Sequence, residues 1–536
     1  MKYGFVIDNR KCIGCHACTT ACKSEHEVPV GVNRTWVKQV EKGEFPDTRR
    51  LFSVMRCNHC TDAPCVEICP TEALFIREDG IVDFDKERCI GCKSCMQACP
   101  YDALYIDPET HTAAKCNYCA HRIDVGLEPA CVNICPEHAI ISGDMENPDT
   151  EIAQLLSRQP AKARKTEKGT IPNLFYIDAD DTSLVPAASS KPGVSLWGSQ
   201  SHGVGHFAKE AEKLANSNVD LLAEVQRMNG STASSKGHAP RTVEVVMNQA
   251  KEVYNTPDKG ILWGWEVSAY VWTKAISSGV FLVAFIGFIL GRFQADSSLF
   301  WTTIIFGLVF LTLTGILLIK DLDQPKRFAY VLLRPHWGSW LVKGGYSITV
   351  FGGLLTLLGV ALWNNWLGAL PTILVLTGIT AVIVSVYTAF LFAQAKGRDF
   401  WQSPTLAIHM LVHSVMAGSA VIVLTGIFME YSWTAIAYFK TIFLIALGIN
   451  LFTMLLEFMT THPTQDAKTT VDMILKGQYA RRFWIGVVIA GNVIPILLMA
   501  FIPSAWSLAL SSILVLAGIY LTEHIWVEAP QRIPLS

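Results

Sequence analysis

The chain is 536 residues long, with 51% hydrophobic and only 17% charged residues, too apolar for the three or four soluble domains that such a length suggests. Of its 90 Asp, Glu, Lys and Arg residues, 26 fall in residues 261–536 and 64 in residues 1–260, which assigns the second half to lipid. The net charge of −2 leaves no cationic surplus for neutralising phosphates and argues against nucleic acid as a partner.

Taken in chain order, residues 1–145 hold all sixteen cysteines, from Cys12 to Cys135, together with short strand-like runs at 3–7, 73–76, 81–84 and 103–106. Small repeated units are expected here rather than one large core. The opening MKYGFVIDNRKCIGC lacks an apolar run of signal-peptide length, so the cysteine domain is expected in a reducing compartment unless a partner exports it. Residues 146–260 are rich in Ser, Gly, Pro, Lys and Asn and read as a linker. One amphipathic helix is expected within it, from Phe207, Ala211, Leu214, Leu222, Val225 and Met228 at helical spacing. From residue 261 the chain becomes all-helical. Eight apolar runs, at 267–291, 299–320, 343–363, 371–395, 405–429, 434–458, 484–502 and 505–527, each match the roughly 20 residues that cross a bilayer. A soluble core built from eight such runs would have no polar surface left to face water.

The cysteines form four groups of four with none left over. Cys12, Cys15, Cys18 and Cys22 follow C-x2-C-x2-C-x3-C, and Cys89, Cys92, Cys95 and Cys99 repeat it and end in Pro100. Cys57, Cys60, Cys65 and Cys69 widen the middle gap before Pro70; Cys116, Cys119, Cys131 and Cys135 widen it further before Pro136. Three thiolates on one wrapping loop cap three irons of a cubane, and the fourth, next to proline, ligates the other cluster of a pair. Structural zinc favours two distant C-x2-C pairs instead, and disulfides do not require this spacing. The expectation is an α+β ferredoxin-like domain with four [4Fe-4S] clusters.

These four groups resemble the four-cluster iron–sulfur subunits of the dimethyl sulfoxide and polysulfide reductase family. The resemblance implies that the first group pairs with the fourth and the second with the third. Clusters would then be held by Cys12, Cys15, Cys18 and Cys135; by Cys116, Cys119, Cys131 and Cys22; by Cys57, Cys60, Cys65 and Cys99; and by Cys89, Cys92, Cys95 and Cys69. Residues 261–536 resemble the NrfD-type, quinone-reacting membrane subunit of the same enzymes. The residues that carry this likeness are Trp263-Gly264-Trp265-Glu266 leading to Tyr270 and Lys274, the run Asp321 to Phe328, and Tyr387-Thr388. Two subunits usually separate would be fused here. The resemblance implies an electron-transfer module between a quinone pool and a separate molybdopterin-type catalytic subunit.

Loop charge gives an orientation. Eleven Lys or Arg residues lie in loops on the side of the cysteine domain and Arg292 alone lies opposite, so the positive-inside rule sets the iron–sulfur domain in the cytoplasm, against the inner membrane. Ionisable groups inside a bilayer cost about 2.5–3.5 kcal/mol each on insertion scales and are functional candidates by default. Lys274, Tyr387, His409, His413, Glu457, Asn492, Glu523 and His524 all fall within roughly 12 Å of the cluster-side face. Tyr387, His413, His409, Lys274 and Glu457 are the candidates for quinone contact and proton transfer. Two other readings stand beside this one: a b-type haem held by His409 or His413 with His524, and an ion- or proton-translocating component.

Overall fold

The computed structural model describes residues 1–43, 47–190, 250–294, 298–502 and 504–536. Its first half is assembled from short strands because the cysteine loops leave little chain for longer elements. Strand β1 (Tyr3–Asp8) pairs in parallel with β10 (Leu174–Ile177) and antiparallel with β8 (Ile140–Asp144), and β9 (Ala161–Lys162) completes a four-stranded sheet on the far edge of β10. The buried faces of Phe5, Ile7, Leu174 and Tyr176 pack on Cys18, Cys131 and Tyr118. A longer hairpin, β2 (Thr35–Lys42) with β3 (Arg49–Arg56), is extended by β11 (Lys251–Tyr254). Two further hairpins, β4 (Leu74–Ile76) with β5 (Val82–Phe84) and β6 (Leu104–Ile106) with β7 (Ala113–Lys115), flank the middle cysteine groups.

Two features differ from the sequence expectation. Residues 146–190 do not run as a linker: they contain a helix Glu151–Arg158, capped by the Thr150 side chain, and the strand β10 next to β1. The domain therefore ends beyond residue 145. Apolar Leu174, Tyr176 and Ile177 carried the signal, but the Ser-, Lys- and Pro-rich flanks masked a four-residue strand. Strand β11 likewise returns from the far end of the expected linker to the cysteine domain. The amphipathic helix expected between Phe207 and Met228 lies outside the described residues.

Among the described residues, eight helices are long and apolar enough to span a membrane: α1 (Trp265–Ile289), α2 (Leu299–Lys320), α3 (Trp340–Trp363), α4 (Leu370–Gln394), α5 (Leu406–Phe428), α6 (Trp433–Met459), α7 (Arg482–Phe501) and α8 (Ala505–Glu528). All eight runs read from composition are present, within a few residues. Only α7 departs from regular winding. From Arg482 to Val493 it is a π-helix, in which Asn492 Nδ2 donates to Val487 O at 2.9 Å, and it tightens to an α-helix at Ile494-Pro495. Proline lacks the amide that the helix interior needs, so a change of winding falls naturally there.

The cysteine domain sits on the loops that follow α2 and α4 and on the segment after α8. Lys93 Nζ lies 3.2 Å from Asp323 Oδ1, Arg327 donates to Cys89 O at 2.9 Å, and Ser339 Oγ donates to Ile68 O at 2.7 Å. Arg398 Nε donates to Gln97 Oε1 at 2.9 Å, and Gln97 Nε2 donates to Gln531 Oε1 at 2.6 Å. Gly91, at φ +69, lets the cysteine loop come close to the α2–α3 loop: a Cβ there would lie 2.7 Å from Asp323 Cβ. These contacts fix the height of the Cys89–Cys99 loop against the membrane helices.

Candidate functional site

None of the sixteen cysteines is disulfide-bonded, and most are buried. Cys12, Cys15, Cys18 and Cys135 line one small cavity; Cys69, Cys89, Cys92 and Cys95 line another. Cys22 lies among Cys116, Cys119 and Cys131, close enough for their charges to interact, and Cys99 does so with Cys57, Cys60 and Cys65. Each grouping brings three sulfurs from one loop near one from another loop. The donor chemistry fits a cluster. Burial pushes the Cys18 thiol up to about 11 and those of Cys92 and Cys119 up to about 12, so a bare thiolate is disfavoured unless bound iron takes up its charge.

An arginine and a histidine contact the set of Cys22, Cys116, Cys119 and Cys131. Arg56 Nη1 donates to Cys131 Sγ at 3.0 Å while its guanidinium stacks on Phe5, 4.5 Å from the ring centre. Nearby thiolates hold its proton more firmly. His26 Nε2 is 3.1 Å from Cys119 Sγ. At the opposite end, the first set is closest to water: Cys15 is exposed, and Ile13 beside it is 55% exposed.

The membrane half places its cavity directly under the set that includes Cys92. A cavity of about 250 Å³ lies between α1, α2, α3 and α4, bounded by Cys92, Trp263, Tyr270, Asp321, Gly345 and Tyr387. Cys92 thus lines both this cavity and the one shared by the four sulfurs. Trp263 Nε1 donates to Cys92 O at 3.1 Å and fixes the boundary. Apart from these polar groups the walls are mainly aliphatic and aromatic.

Within the cavity Tyr387 has room because α3 carries glycine opposite: a Cβ at Gly344 would run into the Tyr387 ring. Lys274, fully buried, sits with Nζ 4.7 Å from the Tyr387 ring centre and donates to Thr388 Oγ1 at 2.6 Å and Ser385 O at 3.1 Å. Asp321, just past the end of α2, closes the rim. Burial raises its carboxyl to about 7, with Lys93 opposing and Glu266 and Asp323 adding to the rise. Tyr270 and Asp321 stand in the sequence motifs that carry the family likeness, but depth within the helices does not single them out as quinone candidates. The signal available was an acidic residue one position beyond an apolar span on the cysteine-domain side.

Of the other candidates, His409, His413 and Glu457 do not line this cavity. They form a second buried group with Glu523: His413 Nδ1 is 2.7 Å from Glu523 Oε1, His409 Nδ1 is 3.9 Å from Glu457 Oε2, and the two rings lie 4.1 Å apart. His524 is not part of it. Its Nε2 meets Glu528 Oε2 at 3.0 Å and its ring stacks on Tyr520, so the structure does not pair it with either histidine as haem ligation would need.

Sulfur quartets on ferredoxin-type loops, fused to an eight-helix membrane bundle, define an electron-transport membrane protein with [4Fe-4S] centres. Comparison with known proteins makes this specific. Residues 11–74 and 48–145 match 4Fe-4S dicluster domains, and residues 254–533 match the family "Polysulphide reductase, NrfD". The chain belongs to the NrfD family and carries in the same polypeptide the iron–sulfur part that resembles separate subunits elsewhere. Over 200 residues it is 46% identical to the tetrathionate reductase B-subunit of Salmonella typhimurium, covering 37% of this protein and 80% of that one. It is 43% identical over 181 residues to the polysulfide reductase B-chain of Wolinella succinogenes, covering 33% and 94%. A putative dimethyl sulfoxide reductase iron–sulfur subunit of Halobacterium salinarum is 35% identical over 220 residues, covering 35% and 84%.

Proposed function

We propose that this chain passes electrons between a membrane quinone and a separate catalytic subunit of the molybdopterin type, through four [4Fe-4S] clusters. The observation that carries the reading is Cys92, which lines both a sulfur quartet and the apolar cavity in the helices. A quinone head group needs such a place: an apolar slot open to lipid, a redox centre at its wall and groups that exchange protons.

Each group in the cavity has a part. The clusters would supply one-electron transfer, with Cys69, Cys89, Cys92 and Cys95 holding the centre next to the membrane. Tyr387 is positioned to hydrogen-bond a quinone oxygen, with Lys274 over its ring favouring a negative charge nearby. Asp321 receives or returns the proton at the rim: with its carboxyl raised to about 7, both protonation states are available at neutral pH. Lys93 links its backbone carbonyl, by a 3.1 Å hydrogen bond, to the cysteine loop.

At the other end, the exposed Cys15 loop is where a catalytic subunit would meet the outermost cluster. The relatives that match are named as subunits of tetrathionate and polysulfide reductases, which supports a separate catalytic partner. Orientation follows from loop charge, with the iron–sulfur domain in the cytoplasm. Of the basic residues behind that argument, Arg327, Lys396 and Arg398 contact the cysteine domain, whereas Arg481 and Arg482 follow the ordinary rule without such a role assigned.

Turnover of a quinol analogue by the membrane-bound complex tests the site. Tyr387→Phe should slow it roughly tenfold or more with unchanged iron content. Full turnover in that variant removes Tyr387 from the quinone site.

A further inference from the structure

The buried group at His409, His413, Glu457 and Glu523 is unused by the quinone reading, and its composition is that of a metal site. We infer that it binds one divalent transition-metal ion of the Zn²⁺ class, as a structural tie between α5, α6 and α8.

Four observations lead there. His409 and His413 are one helical turn apart on α5, an i, i+4 spacing that points two imidazoles from the same face. Ligand atoms of His409, His413 and Glu523 all lie within 4.8 Å of one another; Glu457, outside that group, approaches with Oε2 3.9 Å from His409 Nδ1 and is the fourth ligand we assign. All four side chains are at most 2% exposed. Both ring nitrogens of His409 and Nε2 of His413 have no hydrogen-bond partner among the described residues, and the Glu457 carboxylate has the Trp526 indole beside it.

Buried polar atoms are nearly always partnered, and an unpaired buried charge is the costliest exception. One nitrogen of His409 and Nε2 of His413 are such atoms in one buried group with two carboxylates, and a shared partner would satisfy them together. Two carboxylates beside two imidazoles match a doubly charged cation in charge and in donor set. Two imidazole nitrogens and two carboxylate oxygens select a borderline ion over Mg²⁺ or Ca²⁺, which prefer six or more oxygens. With four protein ligands no position is open to substrate, which marks the site as structural. Tetrahedral Zn²⁺ with ligands at about 2.0–2.2 Å requires the 4.8 Å spread to contract by about 1–1.5 Å, within reach of side-chain rotation. The Trp526 ring on α8, 5.2 Å from that of His409, forms one wall of the site.

The test uses the intact detergent-solubilised protein, loaded with Zn²⁺, desalted and measured for zinc and iron together, with zinc X-ray absorption to read the ligands. The expected result is about one zinc per chain with a nitrogen and oxygen shell near 2.0–2.2 Å and no sulfur shell near 2.3 Å. His409→Ala and Glu523→Gln should each lower zinc at least tenfold at unchanged iron. His413→Cys should retain zinc and add one sulfur neighbour. A sulfur-only shell would mean zinc on vacated cluster cysteines and overturn the inference, as would no retained zinc or retention equal to wild type in both ligand variants. If a variant loses iron and so fails to assemble, the ligand shell of the wild-type protein decides by itself. None of these readouts depends on quinone turnover.

Discussion

Replacing Asp321 by Asn keeps the shape of the cavity rim and removes its proton acceptor. The carboxyl is raised to about 7, chiefly by burial, so the base form is about one-tenth populated at pH 6 and about nine-tenths at pH 8. Quinol oxidation releases protons and needs that base form; the rate should therefore rise nearly tenfold between those pH values and level off above. The opposite reaction needs the acid form and should fall over the same window. General-base contributions of about 10²–10⁴ predict that Asp321→Asn slows quinol oxidation at pH 8 by at least 100-fold and flattens the profile. The assay is oxidation of a soluble quinol analogue by membranes with a dye as terminal acceptor, run across pH 5.5–8.5 with iron content as the control for assembly. A variant that keeps the wild-type rise near pH 7 would refute the assignment, since some other group would then be setting it.

Removing the Arg56 charge, by Arg56→Met, takes away a charge-assisted hydrogen bond to Cys131 that favours the more negative, reduced cluster. At about 1.5–3 kcal/mol, and about 59 mV per 1.4 kcal/mol for one electron, the potential of that cluster should drop by about 60–130 mV in an EPR-monitored titration, and an unchanged set of potentials would contradict the role given to Arg56. Anaerobically purified protein should hold about sixteen irons per chain, four per cubane; a value near eight, or stoichiometric zinc on sulfur, would contradict four clusters. Reporter fusions after Ser536 and within residues 364–368 should report opposite sides, the first cytoplasmic; a C-terminal reporter active only outside the cytoplasm would reverse the orientation.

The membrane half was legible because its signal is long: an apolar run of some twenty residues is read without knowing its neighbours, and all eight helices fall where composition puts them. The sulfur quartets were legible for a different reason, since the ligands carry their own spacing; the cross-pairing itself came from family resemblance, because spacing alone does not say which loop supplies the fourth sulfur. Long-range pairing was hidden. Strand β10 joins β1 across some 170 residues, and nothing local in Leu174–Ile177 names its partner. Depth along a helix gave the right level for the polar residues but not their direction: Tyr387 and His413 share a depth, yet Tyr387 faces the cavity near Cys92 while His413 meets Glu523 between α5 and α8. Asp321 was legible only as part of a family motif, because it stands one residue beyond the apolar run and depth within a helix does not reach it.

The central claim is that a quinone exchanges electrons with the clusters from the cavity beside Cys92, and a cavity-filling variant tests it most directly. Gly345 lines that cavity, and a Cβ there meets only Val331 and Leu332 at 3.7 and 3.9 Å, so Gly345→Trp fills the space rather than breaking a backbone contact. Clusters reduced with dithionite are mixed rapidly with a quinone analogue, and loss of their EPR signal is followed in time. The account predicts rapid reoxidation in the wild type, slowing at least tenfold in Gly345→Trp, and equal reoxidation of both proteins by ferricyanide at the exposed Cys15 end. Equal rates with quinone in the two proteins would place the exchange somewhere else.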